Sequence, residues 1–285
     1  MIIHNFTVKK PEAKQFMIEE VIVSFIDILG YKKLIERYMN NLYIIKTIES
    51  LIKESTVGLL QKTRDRKFNK KVYQEYKNQI SQIIGVKVIA DSILFTLPIS
   101  KITFSNPVEP GEEIPDCIHF YFDLITMFCT FFISKMGHVL RGGISKGPHY
   151  ESDLGGKGNN FFIFSEAYVD AYLLKKEAKN PRIIAGDNFL SYLDEISFKY
   201  MDDYFYQDTD DKKCLDIYAH LNHYPDRWTV LSNIKSRLER NIQVNRMKNE
   251  VLPKLIYFAE YHNNKVNKDN LNCEDLAIDI SNLKA

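Results

Sequence analysis

Two apolar, β-rich runs, Val86-Lys87-Val88-Ile89 and Ile93-Leu94-Phe95-Thr96, lie with only Ala90-Asp91-Ser92 between them. So short a separation closes an antiparallel hairpin and puts Asp91 at its tip. What flanks the hairpin narrows the fold further. Upstream, a β-branched run through Val21, Val23 and Phe25 ends at Asp27-Ile28-Leu29-Gly30, a strand feeding a turn. From Tyr31 to about Leu60, apolar residues such as Leu34, Tyr38, Leu42, Ile45 and Ile48 recur at three- and four-residue spacing and predict one long amphipathic helix. Residues 62–79 are basic and polar and read as an exposed insertion.

Downstream, three prolines and a glycine in 105–115 mark a loop before an aromatic-rich helix over 116–136. Val139 to Ser145 reads as a strand carrying Arg141-Gly142-Gly143. A glycine-rich loop over 147–160, a helix near 165–179 and a strand at Arg182-Ile183-Ile184-Ala185 follow. The order β, α, ββ, α, β, α, β contains the βαββαβ unit of a ferredoxin-like core, an α/β (α+β) fold. Beyond it, 204–208 and 214–218 predict a second hairpin, and 228–263 is mostly helical. The expected organisation is an N-terminal polar segment over 1–19, a catalytic core over 20–200, and a C-terminal hairpin and helical extension of the same domain over 201–285.

Composition excludes some partners. With 38 basic and 37 acidic residues the formal charge is +1, so no global field draws the chain to nucleic acid or an anionic membrane. Any anionic ligand must be met locally. Cys117, Cys129, Cys214 and Cys273 show no CxxC spacing, and the N-terminus lacks the apolar stretch of a signal peptide, so the expected home is the cytoplasm. The most apolar stretch, Cys117 to Ile133, is interrupted by His119 and Asp123, and reads as a buried core helix rather than a membrane span.

The chemistry sits on two carboxylates. Phosphoryl transfer from a nucleoside triphosphate needs hard oxygen ligands for Mg²⁺ or Mn²⁺, and two convergent carboxylates can bridge two such cations. Asp27 and Asp91 each follow an apolar strand, and a first strand paired beside the hairpin projects both from one end of the sheet. Ile28 adds a backbone carbonyl. An aspartate after a strand also serves as a simple turn-former, so either residue alone supports both readings. His119, His138 and His149 show no metal-type clustering, and no Ser–His–Asp arrangement is evident.

Phe25-Ile26-Asp27-Ile28-Leu29-Gly30-Tyr31 resembles the first metal-binding motif of class III nucleotidyl cyclases, F-x-D-I-x-G-[FY]. Val86-Lys87-Val88-Ile89-Ala90-Asp91-Ser92 resembles their second motif, V-K-x-I-G-D, with Ala90 in place of the usual glycine. Leu140 to Gly147 is similar to their following core strand, L-R-x-G-I-x-x-G. Asp91-Ser92, Arg141-Gly142-Gly143, Ala171-Tyr172 with Pro181-Arg182-Ile183, and the segment Pro253 to Asn263 resemble the bacterial pyrimidine cyclases of Pycsar antiphage defence. The likeness spans roughly 20–263.

The resemblance implies a class III cyclase fold and a homodimer with active sites at its interface. It further implies a lyase that converts UTP or CTP to 3′,5′-cyclic UMP or cyclic CMP and pyrophosphate, which activates a separate effector protein. The metals, two Mn²⁺ or Mg²⁺, would be held by Asp27, Ile28 and Asp91. Lys87 falls at the base-reading position, where an ammonium donates to uracil or cytosine without choosing between them. Phe162 falls near the second such position, and Phe25 and Ser92 complete the substrate-binding set. Lys87 also reads as a solvated hairpin lysine, and Phe162 as plain core. The family's Asn-and-Arg pair aligns with Val169 and Leu173, which donate no hydrogen bond, so Arg141 and Arg182 are the candidates for stabilising the transition state. Both also read as structural ion-pair formers. A catalytically silent, nucleotide-binding sensor is the alternative function. A palm polymerase or diguanylate cyclase is disfavoured because the hairpin carries no GGDEF-like tip.

Overall fold

A single long strand organises the molecule. In this computed structural model, which describes residues 18–53, 83–102, 117–154, 161–224, 226–268 and 273–281, β1 (Glu19–Ile28) is flanked by antiparallel neighbours on both sides. They are β3 (Ser92–Pro98) and β4 (Leu140–Asp153), and β2 (Gly85–Ile89) pairs outside β3. The order β2-β3-β1-β4 is the ferredoxin-like arrangement, with the first helical segment and α3 (Cys117–Met136) as its crossovers. Among the described residues the sheet has eight strands. β6 (Ile183–Ala185) runs parallel to β4, β8 (Lys213–Leu215) and β7 (Phe205–Gln207) continue beyond it, and β5 (Phe161–Ser165) pairs with the far end of β4.

Strand alternation sorts the core into two faces. Ile22, Ile26 and Ile28 of β1 and Phe95 of β3 belong to the large apolar cluster with Phe122 and Phe128 of α3. That cluster continues into α7 (Arg227–Asn245) and α8 (Leu252–Lys268) through Ile234, Leu238, Leu255 and Phe258. On the opposite face, Val21, Val23 and Phe25 pack with Leu94 and with Ala167 and Ala171 of α4 (Glu166–Glu177). α3 is long and apolar enough to cross a membrane by length and composition, but 83% of its most apolar window is buried within the fold.

Several sequence expectations change. The single helix predicted from Tyr31 is two, α1 (Tyr31–Tyr38) and α2 (Leu42–Lys53), because Asn40 and Asn41 interrupt it and the Asn41 side chain accepts from the Ile44 amide. The end of that expected helix, at 54–60, and the basic insertion at 62–79 lie outside the described residues. β4 does not stop at Ser145 but runs to Asp153, so 147–153 of the expected loop at 147–160 is strand, and 155–160, with the glycine run, lies outside the described residues. Gly147 on β4 lies beneath Ala167 of α4. β5, α5 (Asp187–Glu195) and the short α6 (Met201–Tyr204) are not among the expected elements, although Phe189, Tyr192 and Leu193 bury one face of α5 at helical spacing.

The C-terminal helices are fastened by buried polar groups. Tyr257 donates to Asp208, Tyr261 donates to Asp216, and Lys265 pairs with Asp216. His262 is fully buried between the Tyr218 hydroxyl at 2.9 Å and the Leu276 carbonyl at 3.0 Å. A carbonyl only accepts, so Nε2 carries the proton and Nδ1 accepts from Tyr218. Burial pushes the imidazole of His262 down to about 4, and that of His220 to about 3.

Both histidines are neutral when folded and protonate near the ordinary 6.5 when unfolded. Their contribution to stability is therefore complete above pH 6.5 and is lost as pH falls toward about 4. The unfolding free energy, measured by urea denaturation, is expected to drop about 1.4 kcal/mol per pH unit for each histidine across that interval. A flat profile would contradict the assignment.

Candidate active site

Asp27 and Asp91 meet at one end of the sheet because of strand register. Asp27 stands opposite Ser92, the first residue of β3, and the Ile28 amide donates to the Asp91 carbonyl at 3.0 Å. The turn between β2 and β3 is the two-residue link Ala90-Asp91, and Ala90 sits in the left-handed region at φ 55°. Hairpin turns of this kind favour glycine there, so Ala90 adds local strain beside the carboxylate. Ser92 Oγ donates to Asp91 Oδ1 at 3.3 Å.

Asp27 is 3% exposed and is held by two cations. On the neighbouring strand Arg141 lies opposite it, and its Nε donates to Asp27 Oδ2 at 2.8 Å. Lys175, at the C-terminal end of α4, brings its Nζ to 3.8 Å from the same oxygen. Burial pushes the Asp27 carboxyl above the ordinary carboxylate range. The Arg141 hydrogen bond and the positive charges of Lys175 and Arg141 oppose that push, and Asp91 adds to it.

Lys175 was not singled out by sequence reasoning. Its nitrogen lies over the rings of Tyr172 and Phe25, with centroids at 4.7 and 5.1 Å. The signal was its place in the stripe Ala167, Ala171, Lys175 at four-residue spacing, which puts all three on the face that packs against β1 and β4. The Ser165 side chain caps this helix by accepting from the Tyr168 amide at 3.0 Å. Gly143 lets it approach: a Cβ there would lie 2.3 Å from the Ala171 carbonyl oxygen and 2.5 Å from Leu174 Cβ. Arg141-Gly142-Gly143 thus supplies both a cation for Asp27 and the space through which α4 delivers another.

Lys87 is not a solvated lysine. Its Nζ pairs with Glu151 Oε2 at 2.6 Å, and His149 Nε2 lies 3.5 Å from the same oxygen. Lys87, Glu151, His149 and Thr96 line a polar cavity of about 220 Å³ on the α4 side of the sheet. Phe25, by contrast, is buried core whose ring meets Tyr168 and Tyr172 edge-on. Phe162 is not core. It is 46% exposed on β5, and Phe164 beside it, with Val169 and Leu173 on α4, is also exposed.

Arg182 is not brought to the carboxylates. Its guanidinium is buried against Asp208 and bound by both oxygens of Asp210, with contacts of 2.5 to 2.7 Å. The need for a cation in place of Val169 and Leu173 made Arg182 a candidate; the β7–β8 link holds the side chain instead. No group of three or more His, Cys, Asp or Glu side chains fit to hold a metal occurs among the described residues. Two carboxylates and the Ile28 carbonyl nevertheless suit Mg²⁺ or Mn²⁺, hard cations commonly held by one or two carboxylates with substrate phosphates completing the shell.

No protein-family model matches the sequence, and no curated protein matches it. Among solved structures, the chain is similar to the dimeric guanylyl cyclase domain of the RhoGC fusion protein from Blastocladiella emersonii, at 13% identity and a TM-score of 0.37 over 69% of this chain and 93% of that one. It is similar to the guanylate cyclase domain of RhGC from Catenaria anguillulae, in complex with GTP, at 15% identity and a TM-score of 0.35 over 69% and 93% of the two chains. It is also similar to a class III adenylyl cyclase-like ATP-binding protein from Pseudomonas aeruginosa, at 10% identity and a TM-score of 0.38 over 72% and 40%.

Gly143→Ala is expected to force α4 off the sheet and to cost about 1–3 kcal/mol by urea denaturation, since backbone receives the new methyl group. Ala90→Gly is expected to leave stability unchanged or raise it by up to about 1 kcal/mol by relieving the left-handed alanine. A destabilised Ala90→Gly would show that the turn is unstrained.

Proposed function

We propose that this chain is a nucleotidyl cyclase of the class III type, which closes a nucleoside triphosphate into its 3′,5′-cyclic monophosphate and releases pyrophosphate. The observation that carries the reading is the meeting of Asp27 and Asp91 at the ends of β1 and the β2–β3 hairpin, where the strand register leaves no sequence slack between them. Divalent cations bound there supply charge neutralisation on the triphosphate and acidify the attacking ribose hydroxyl.

The chain's own residues then take defined parts. Asp27 and Asp91 give the oxygen ligands, with the Ile28 carbonyl beside them. Arg141 and Lys175 oppose the burial that raises the Asp27 carboxyl, and they are the cations available to stabilise charge on the α-phosphate, the function for which Val169 and Leu173 have no donor. Arg182 is left to structure. Lys87 with Glu151 presents one donor and one acceptor side by side, which suits the adjacent O4 and N3–H of uracil and equally N3 and the amino group of cytosine. UTP is the favoured substrate, with CTP next, on the strength of the sequence resemblance.

The same resemblance supports a cyclic pyrimidine nucleotide as an antiphage signal read by a separate effector. Exposed Phe162, Phe164, Val169 and Leu173 support a homodimer that covers this apolar face. Buried Cys117, Cys129 and Cys214, none of them in a disulfide, support a cytoplasmic protein. Residues 20–200 are assigned as the catalytic core and 201–285 as its extension, an assignment supported by the apolar cluster they share. The aliphatic side chains of Val169 and Leu173 favour a second reading, a silent sensor that binds nucleotide without turning it over.

Incubation with each of the four triphosphates and Mn²⁺, followed by chromatography, is expected to yield a cyclic pyrimidine monophosphate. Nucleotide binding without product from any of the four would support the sensor. Asp27→Ala and Asp91→Ala are each expected to cut turnover at least about a hundredfold with the fold intact by circular dichroism; retained turnover in either removes that residue from the site. Leu173→Glu is expected to yield a monomer by light scattering and to lower activity in parallel.

A further inference from the structure

A cavity of about 270 Å³ lies behind the Asp27 turn, between the β1–α1 connection, the α3–β4 connection and helices α7 and α8. Leu29, Val139 and Leu255 give it an apolar floor continuous with the cluster of the α3 face, whereas Asp27 follows Phe25 on the α4 face. Three ammonium side chains, Lys32, Lys33 and Lys254, line the same space, and among the described residues no carboxylate does.

The placement of these lysines works against stability. Lys32 and Lys33 stand in the first turn of α1, and Lys254 in the first turn of α8, where the helix dipole disfavours cations. Neither first turn contains an acidic residue, and the α1 cap, Gly30, offers no side-chain acceptor. Among the described residues, Lys33 and Lys254 have no carboxylate within salt-bridge distance, and Lys32 reaches only Glu36, at 3.9 Å on the open surface. Three like charges around an apolar hollow, each opposed by a helix end or its neighbours, are relieved by an anion. The hollow is slightly below the size range of ordinary small-molecule pockets, about 300–1,000 Å³, and holds a compact ligand.

We propose that this cavity is a second, regulatory site that binds a mononucleotide, its phosphate among Lys32, Lys33 and Lys254 and its ring on Leu29, Val139 and Leu255. The ligand rests against the backbone that fixes the catalytic turn. Leu29 donates to the Val139 carbonyl at 3.1 Å, and Ile28, one residue back, donates to Asp91 at 3.0 Å. Occupancy therefore bears directly on how Asp27 and Asp91 are aligned. The inference stands on the cavity and its charges and does not depend on turnover.

Isothermal titration of the full chain with uridine 5′-monophosphate in EDTA separates this site from a metal-dependent one. Wild type and Asp27→Asn are expected to bind alike, and the Lys33→Ala/Lys254→Ala double variant at least about tenfold more weakly. Lys33→Ala alone, at an exposed position, is expected to weaken binding several-fold and serves if the double variant does not fold. Inorganic phosphate is expected to compete, but more weakly than the nucleotide. The proposal is overturned if wild type binds no nucleotide without metal, if Asp27→Asn abolishes binding, or if the lysine variants bind as wild type does. Phosphate binding as tightly as the nucleotide would overturn the assignment of the apolar floor to its ring.

Discussion

A carboxylate 3% exposed, with Arg141 at 2.8 Å and Lys175 at 3.8 Å, is the interaction around which the candidate site is arranged. A charge buried this far is costly unless paired, and each partner reaches Asp27 by a separate structural route. Arg141 arrives through the β1–β4 register. Lys175 arrives because α4 lies tight against the sheet over Gly143, with small residues at Ala167 and Ala171 along the contact. Asp91 arrives through the two-residue hairpin turn. The site is thus the point where a strand pair, a helix packing and a turn must all be correct together.

Much of this was legible in the chain. The hairpin around Ala90-Asp91, the strand ending at Asp27 and the βαββαβ order follow from local patterns of apolar residues, which strands and turns express within a few positions. What escaped was set by contacts distant in sequence. Lys175 resembles any lysine late in a helix until the Gly143 contact is known. Arg182 is drawn away by Asp208 and Asp210, about 26–28 residues downstream, which no local pattern announces. β5 pairs with a strand extension that the glycine-rich sequence disguised as loop.

The lysines divide between two sides of one short turn. Lys175 and Arg141 face the carboxylates from the α4 side, whereas Lys32, Lys33 and Lys254 crowd the cavity on the α3 side. A chain of formal charge +1 has no general attraction for phosphates, so the proposed anion sites rest on charge concentrated locally on either side of Leu29. Buried links from Tyr257, Tyr261 and Lys265 to Asp208 and Asp216 fix α8, and with it Lys254, relative to the sheet.

The central claim is that Asp27 and Asp91 jointly hold divalent cations over a triphosphate. Electron paramagnetic resonance of Mn²⁺ titrated into the protein with a triphosphate lacking a ribose 3′-hydroxyl tests it without turnover. The account predicts two bound Mn²⁺ per protomer with a spin-coupled spectrum, lost in both Asp27→Asn and Asp91→Asn. Uncoupled or absent Mn²⁺ in wild type, or a spectrum unchanged by either substitution, would contradict it.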